Sequence, residues 1–322
     1  VVWQAQDSAT PPALEASRLI GADGVSLPLA AWQPVGKPWA AAVALHGFND
    51  YRQAFVEVGS ELAERGIAVY AYDQRGFGAG PGRGYWHGSA AMVEDFREAV
   101  RLVRARHPGL PVFAIGESMG GAVVLVAQGG GADGVVLIAP AVWGASTMPL
   151  IQQAALWAIS HILPGFPLTA QGLPIQPSDN IAMLRRLGAD PWIIKETRAD
   201  SVYGLTRLMD QALDAAPHLK GPALVLYGAD DDIVPKAPTC RMIRSLPAAP
   251  EGAWRIALYP EGHHMLTRDL AGRMPIDDIA AWMAAPDRAI PSGAEIDRAE
   301  TARAPALRAA ALCARFPDTA DP

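Results

Sequence analysis

Ala40 to Leu45 runs for six residues without a polar side chain and stops at His46-Gly47. A strand apolar on both faces must be covered on both, so this segment predicts the middle of a sheet sandwiched between helices. Similar runs recur at Ile67 to Tyr72, Leu110 to Ile115, Val135 to Ala139 and Ala223 to Tyr227, and Trp254 to Tyr259, interrupted by Arg255, reads as one more strand. Helical patterns separate them: Phe55 to Arg65, stopped by Gly66; Ser89 to His107, with Ser89 as cap and Pro108 as stop; Val123 to Ala127; Thr239 to Leu246; and Ile276 to Ala284. This alternation predicts an α/β fold with a mostly parallel central sheet and helices on both faces. One further strand is expected at Val25 to Trp32, and residues 1–18, with Pro11 and Pro12, read as an irregular lead-in.

The rhythm breaks between Trp143 and Pro217. No strand pattern occurs there, and helices are expected at Pro149 to Leu163, Asn180 to Gly188 and Ser201 to Ala215. We read 143–217 as a helical cap inserted into one α/β domain spanning 1–286, which Pro286 closes. The tail, 287–322, is rich in Ala, Arg and acidic residues; a helix is expected over Glu295 to Ala314, and no role is assigned to it.

Half of the 322 residues are hydrophobic, which supplies a large core. A net charge of -6, with scattered Lys and Arg, argues against nucleic acid as a partner. The two cysteines, Cys240 and Cys313, have neither the spacing of a zinc site nor a disulfide framework. No run of 18 apolar residues occurs, so a soluble protein is expected. The start at Val1 fits a trimmed chain or one whose export signal has been removed, leaving a cytoplasmic or an exported protein. The abundance of Ala, Gly, Pro and Arg resembles bacterial proteins of GC-rich genomes.

Where the run Leu110 to Ile115 gives way to a helix, the chain reads Gly116-Glu117-Ser118-Met119-Gly120. A serine on so sharp a strand-to-helix turn has a strained backbone and an exposed hydroxyl, and the flanking glycines let the chain close without Cβ clashes. A serine hydroxyl attacks only if a base takes its proton and a third group orients that base. Candidates follow two later strands, in the order serine, acid, base: Asp230-Asp231-Asp232 after Tyr227, and His263-His264 after Tyr259. The aspartate run lacks the alternating ligands, glycine turn and distal glutamate of a calcium loop, and the histidine pair lacks a metal-binding helix, so no metal and no cofactor is assigned.

Leu45-His46-Gly47-Phe48, Asp73-x-Arg75-Gly76-x-Gly78, Gly116-Glu117-Ser118-Met119-Gly120-Gly121, Gly228-x-x-Asp231 and Gly262-His263-His264-x-Leu266 together resemble the α/β-hydrolases of the monoacylglycerol lipase and lysophospholipase group, over residues 20 to 285. The resemblance implies that Asp231 rather than Asp232 is the acid and His264 rather than His263 the base. It also implies that backbone N–H groups of Phe48 and Met119 form the oxyanion site. Many members carry histidine at the position of Glu117; that residue packs behind the nucleophile, and little effect on the reaction is expected. Asp73 and Arg75 are expected to hold their loop through ion pairing, and His46 to shape the turn beside the site. Ser178-Asp179-Asn180 matches a β-lactamase element whose Ser-x-x-Lys partner is missing at Ser118, so a helix cap is expected instead.

The implied activity is hydrolysis of carboxylic esters through an acyl-enzyme, on single-chain lipids such as monoacylglycerols or lysophospholipids. Aminopeptidase, thioesterase or polyester-type esterase chemistry would use the same residues, and a catalytically silent lipid-binding module would keep the motifs without the activity. In the cap, Met148, Leu150, Ile151, Leu156, Trp157, Ile159, Ile162 and Leu163 form a wide apolar face. Most of it is expected to pack on the sheet and the other cap helices, with part lining an acyl channel or touching a lipid surface transiently.

Overall fold

The structure, a computed structural model, describes residues 11–169, 175–247 and 254–296. The chain runs β1 (Ala13–Leu14), β2 (Arg18–Ile20), β3 (Ser26–Trp32), β4 (Ala40–Leu45), α1 (Val56–Glu64), β5 (Ile67–Tyr72), α2 (Ser89–Arg106), β6 (Val112–Glu117), α3 (Met119–Val126) and β7 (Gly134–Ile138). The inserted region holds α4 (Leu150–Ile162), β8 (Pro167–Leu168), α5 (Ile181–Ala189), β9 (Thr197–Arg198) and α6 (Ala199–Ala215). It is followed by β10 (Ala223–Gly228), α7 (Lys236–Ser245), β11 (Trp254–Tyr259) and α8 (Arg273–Ala284).

Among the described residues nine strands form one sheet in the order β1-β2-β3-β5-β4-β6-β7-β10-β11. From β5 to β11 all neighbours are parallel, and β1, β2 and β3 add an antiparallel edge. The architecture is the α/β-hydrolase fold. Alternation along β4 sorts its residues between two cores: Ala41, Val43 and Leu45 join α2, α3 and α7, while Ala40, Ala42 and Ala44 join α1 and α8. The chain leaves β4 towards β5 on one side, whereas β6 lies on the other. The loops after β4 and β6 therefore diverge at a topological switch point, where open α/β sheets form their ligand crevice.

Several local expectations change. The lead-in is not irregular throughout, because β1 and β2 extend the sheet. Gly88, not Ser89, is the cap of α2, and no side-chain capping bond forms there. The inserted region contains a two-stranded ribbon, β8 with β9, too short to leave a pattern in sequence. Helix α6 is not purely a cap element, since Leu208, Met209, Ala212 and Leu213 are buried in the main core beside α3. None of the eight apolar residues named in the cap is buried, and Leu150, Ile151, Trp157, Ile162 and Leu163 are exposed. The apolar face of α4 is thus turned largely outward, and only its half-buried side, with Leu156 and Ile159, goes with packing on α6.

Past Pro286 the chain still packs: Ile290 and Ile296 are buried, Glu295 bridges to Ala257 of β11, and Glu295 pairs with Arg255. The expected tail helix beyond Ile296 lies outside the described residues, as does Cys313. Cys240, buried in α7, is not a free thiol.

Candidate active site

Ser118 stands between β6 and α3 with φ 52° and ψ -115°, a left-handed conformation that costs a non-glycine residue about 1–3 kcal/mol. Its surroundings hold it there: its N–H donates to the Ile138 carbonyl, and its own carbonyl accepts from Ala122 and Ala141. The turn closes only because Gly120 has no side chain, since a Cβ there would lie 2.1 Å from the Leu45 carbonyl oxygen. Gly47 likewise brings the loop after β4 against the serine, with its virtual Cβ 3.3 Å from the Ser118 Cβ.

Three of the sequence-predicted residues meet here. The Ser118 hydroxyl is 2.9 Å from His264 Nε2, and His264 Nδ1 is 2.9 Å from Asp231 Oδ2. In the neutral resting tautomer Nδ1–H donates to Asp231 and Nε2 accepts from the serine. Asp231 is aimed by two further bonds, from the N–H groups of Ile233 and Val234 to Oδ1. Asp232 points elsewhere and accepts from the Gln176 N–H on an exposed loop. His263 is turned away: its ring Nε2 lies 3.4 Å from Gln176 Nε2, and its backbone N–H donates to Asp269.

Burial by itself pushes the His264 imidazole down. The Asp231 carboxylate, through charge and hydrogen bond, outweighs it with help from Glu117, and against Arg268 the group titrates above the ordinary histidine range. His46 behaves oppositely: full burial holds it low and neutral, with Nδ1–H donating to the Gly47 carbonyl and Nε2 accepting from the Gln74 N–H. It shapes the loop after β4, as expected for the turn. Within that loop the Phe48 N–H, and at the first position of α3 the Met119 N–H, donate to no protein acceptor among the described residues. An unbonded N–H at a helix start beside the serine is suited to an oxyanion.

Asp73 and Arg75 anchor their loop through separate partners and not each other. Asp73 takes Arg52 and the N–H groups of Arg52 and Ala79, while Arg75 pairs with Asp95 and Asp23. Asn180 caps α5 by accepting from the Met183 N–H. Asp179, His263 and Asp269 bring ligand atoms within 4.8 Å of one another, a spacing a cation could use. Their oxygens already work as a clasp: Ser178 and the His263 N–H hold Asp269, and the Leu270 N–H holds Asp179.

Sequence reasoning missed Asp50 and Arg268. Arg268 is buried and donates to Asp50 Oδ2 and to Glu117 Oε1, each at 2.7 Å. Both lie inside the motif-bearing stretches, Asp50 four residues after His46 and Arg268 four after His264, but their pairing spans more than two hundred residues.

The family model described as serine aminopeptidase, S33, matches residues 36–271. The chain belongs to this family. Within the S33 hydrolases it falls in the monoacylglycerol lipase and lysophospholipase-like group. It is 27% identical over 274 residues to the monoacylglycerol lipase of Mycolicibacterium smegmatis, covering 82% of this chain and 94% of that protein. It is 28% identical over 242 residues to the human monoglyceride lipase, covering 68% and 74%. Among solved structures, a soluble variant of the Saccharomyces cerevisiae monoglyceride lipase in complex with a substrate analogue superposes with a TM-score of 0.70. It shares 21% identity and covers 87% of this chain and 97% of that one. The Paleococcus ferrophilus monoacylglycerol lipase gives 0.65 at 23% identity, covering 80% and 98%. These two likenesses speak to the fold.

Proposed function

We propose that this carboxylic ester hydrolase cleaves esters of single-chain lipids, monoacylglycerols or lysophospholipids, through an acyl-enzyme on Ser118. The observation that carries the reading is the continuous line Ser118–His264–Asp231, with both bonds at 2.9 Å. Ser118 Oγ bonds to the ester carbonyl carbon as its proton passes to His264 Nε2. The negative charge gathers on the carbonyl oxygen, where the Phe48 and Met119 N–H groups receive it, a stabilisation worth about 3 kcal/mol per donor. The carbon–oxygen bond to the alcohol then breaks, and His264 returns the proton to that oxygen. Water repeats the sequence on the acyl-enzyme and releases the fatty acid. Asp231 orients His264 and balances its charge without taking the proton.

The chain length of the substrate is assigned to the cap. An outward apolar face on α4, with Trp157 stacked on His161, fits transient contact with a lipid surface that delivers single-chain substrate. No described helix is long and apolar enough to cross a membrane.

A fluorophosphonate probe and an ester panel test both parts. Stoichiometric labelling that vanishes in Ser118→Ala, with turnover lost and fold kept, is expected; an unlabelled wild type would favour the silent lipid-binding module. Replacing Leu150, Ile151 and Trp157 by Ser should depress long-chain monoacylglycerol hydrolysis by about 10-fold while sparing a soluble acetate ester. Equal losses on both substrates would remove the cap from the reading. Faster turnover of aminoacyl or thioester substrates than of lipid esters would move the chain to another S33 specificity.

A further inference from the structure

Behind Ser118 lies a buried group of three charges that the reaction scheme does not use. Glu117 ends β6 on the face shared by Phe113 and Ile115, where an apolar side chain would continue the core shared with α1 and α8. It is 1% exposed, and its Oε1 accepts from Arg268 Nη2. The other arm of Arg268 reaches Asp50 Oδ2. Asp50 also receives the Tyr51 N–H on Oδ1, which fixes the end of the loop that carries Phe48.

Each of these residues belongs to a different piece of the site. Glu117 precedes the proposed nucleophile, Asp50 follows the loop of Phe48, and Arg268 follows His264 by four residues, at the end of the short 3-10 helix Leu266–Arg268. One guanidinium therefore ties together three loops, and its planar fork fixes both carboxylates in direction as well as distance. The sum of charges is one cation against two anions. Buried ion groups are costly, and a surplus anion more so; among the described residues Glu117 Oε2 and Arg268 Nε have no hydrogen-bond partner. A serine hydrolase has one transient cation in this place, the imidazolium formed when His264 takes the serine proton.

We propose that Glu117, Arg268 and Asp50 are positioning residues that lock the loops of Ser118, His264 and Phe48 together, and that the surplus charge of Glu117 stabilises protonated His264 during transfer. The inference rests on Ser118 and His264 acting as assigned above. It gives Glu117 a working part rather than a packing role. Asp231 and Glu117 act on His264 in the same sense, and Arg268 acts against them, so the balance is set by two carboxylates on neighbouring elements and one guanidinium on its own loop.

The test uses the full chain and 4-nitrophenyl acetate, with active sites counted by fluorophosphonate. Glu117→Gln keeps an oxygen to accept from Arg268 and removes the charge. Its acid limb in the pH profile of kcat/KM should move down by about half to one pH unit, and its plateau kcat should fall about 5- to 10-fold with KM within about twofold. Arg268→Lys keeps the charge but loses the fork; kcat should fall about 10-fold or more. A folded, fully titratable Glu117→Gln enzyme whose limb and kcat coincide with wild type overturns the proposal, and a lower melting temperature alone would mark a purely structural group. Should Arg268→Lys fail to fold, the Glu117→Gln profile decides. Hydrolysis at the wild-type rate in Ser118→Ala would instead defeat the assignment of the nucleophile.

Discussion

Asn49 donates from its side-chain amide to the Thr197 hydroxyl at 2.7 Å, joining the loop after β4 to the first residue of β9. Asn49 has φ 64°, and its carbonyl accepts from the Ile194 N–H, so the cap grips both sides of one left-handed residue. Phe48, its neighbour, is one of the two proposed oxyanion donors. Tyr51 adds a third link, to Asp190 at 2.7 Å. The cap is in this way part of what holds the site in shape.

Thr197→Val keeps the shape of the side chain and removes the acceptor. We expect kcat on a soluble ester to fall by about 5- to 10-fold, since small misplacements of a donor are costly, while KM changes little. The melting temperature should drop by a few degrees, in line with about 1 kcal/mol for a lost hydrogen bond in a chain of this length. Steady-state kinetics with unchanged kcat would separate the cap from the oxyanion loop.

Asp231 and Asp232 are adjacent in sequence and point in different directions, Asp231 at His264 and Asp232 at the Gln176 N–H. Asp231→Asn should reduce kcat by about 10⁴-fold, because the amide favours the wrong tautomer of His264. Asp232→Asn, on an exposed loop, should retain near wild-type turnover. Reversal of the two effects in parallel assays would reassign the acid.

The approach of α3 to β4 at Gly120 leaves no room for a methyl group. Gly120→Ala should lower stability by about 3 kcal/mol through overpacking against the Leu45 carbonyl, with loss of activity as the elbow shifts. Urea unfolding checks this, and a wild-type midpoint would contradict the packing.

Acid should affect activity and stability through different histidines. As the proposed base, His264 has to be neutral to accept the serine proton, and it titrates above 6.5, so the acid limb of kcat/KM should lie above that value. The raised His264 contributes stability below 6.5 that is lost as pH rises through its folded value. The depressed His46 does the reverse: its contribution is present above 6.5 and is lost as pH falls through its lowered folded value. Denaturation midpoints should therefore decline on the acid side, less steeply in His46→Asn. An acid limb below 6.5 would show that Asp231 does not dominate the surroundings of His264.

Much of the molecule is legible in local pattern. The run Ala40 to Leu45 points to a central strand because six apolar residues between Pro38 and Gly47 are too few for a buried helix, and Gly116-x-Ser118-x-Gly120 points to a tight strand-to-helix turn because glycines allow the close approach. Those constraints act between neighbours in sequence, so the sequence by itself determined the parallel sheet, the elbow and the order of the candidate serine, acid and base. Tertiary structure decided what depends on distant partners and on direction. It aimed Asp231 rather than Asp232 at His264, turned α4 outward, buried part of α6 in the main core, and paired Arg268 with Asp50 and Glu117. A carboxylate or a guanidinium carries no periodic signal of its partner, and a one-residue change of direction on a loop reverses its role. The serine at 118 could be found by reading; the charge stored behind it needed the fold that brings positions 50, 117 and 268 together.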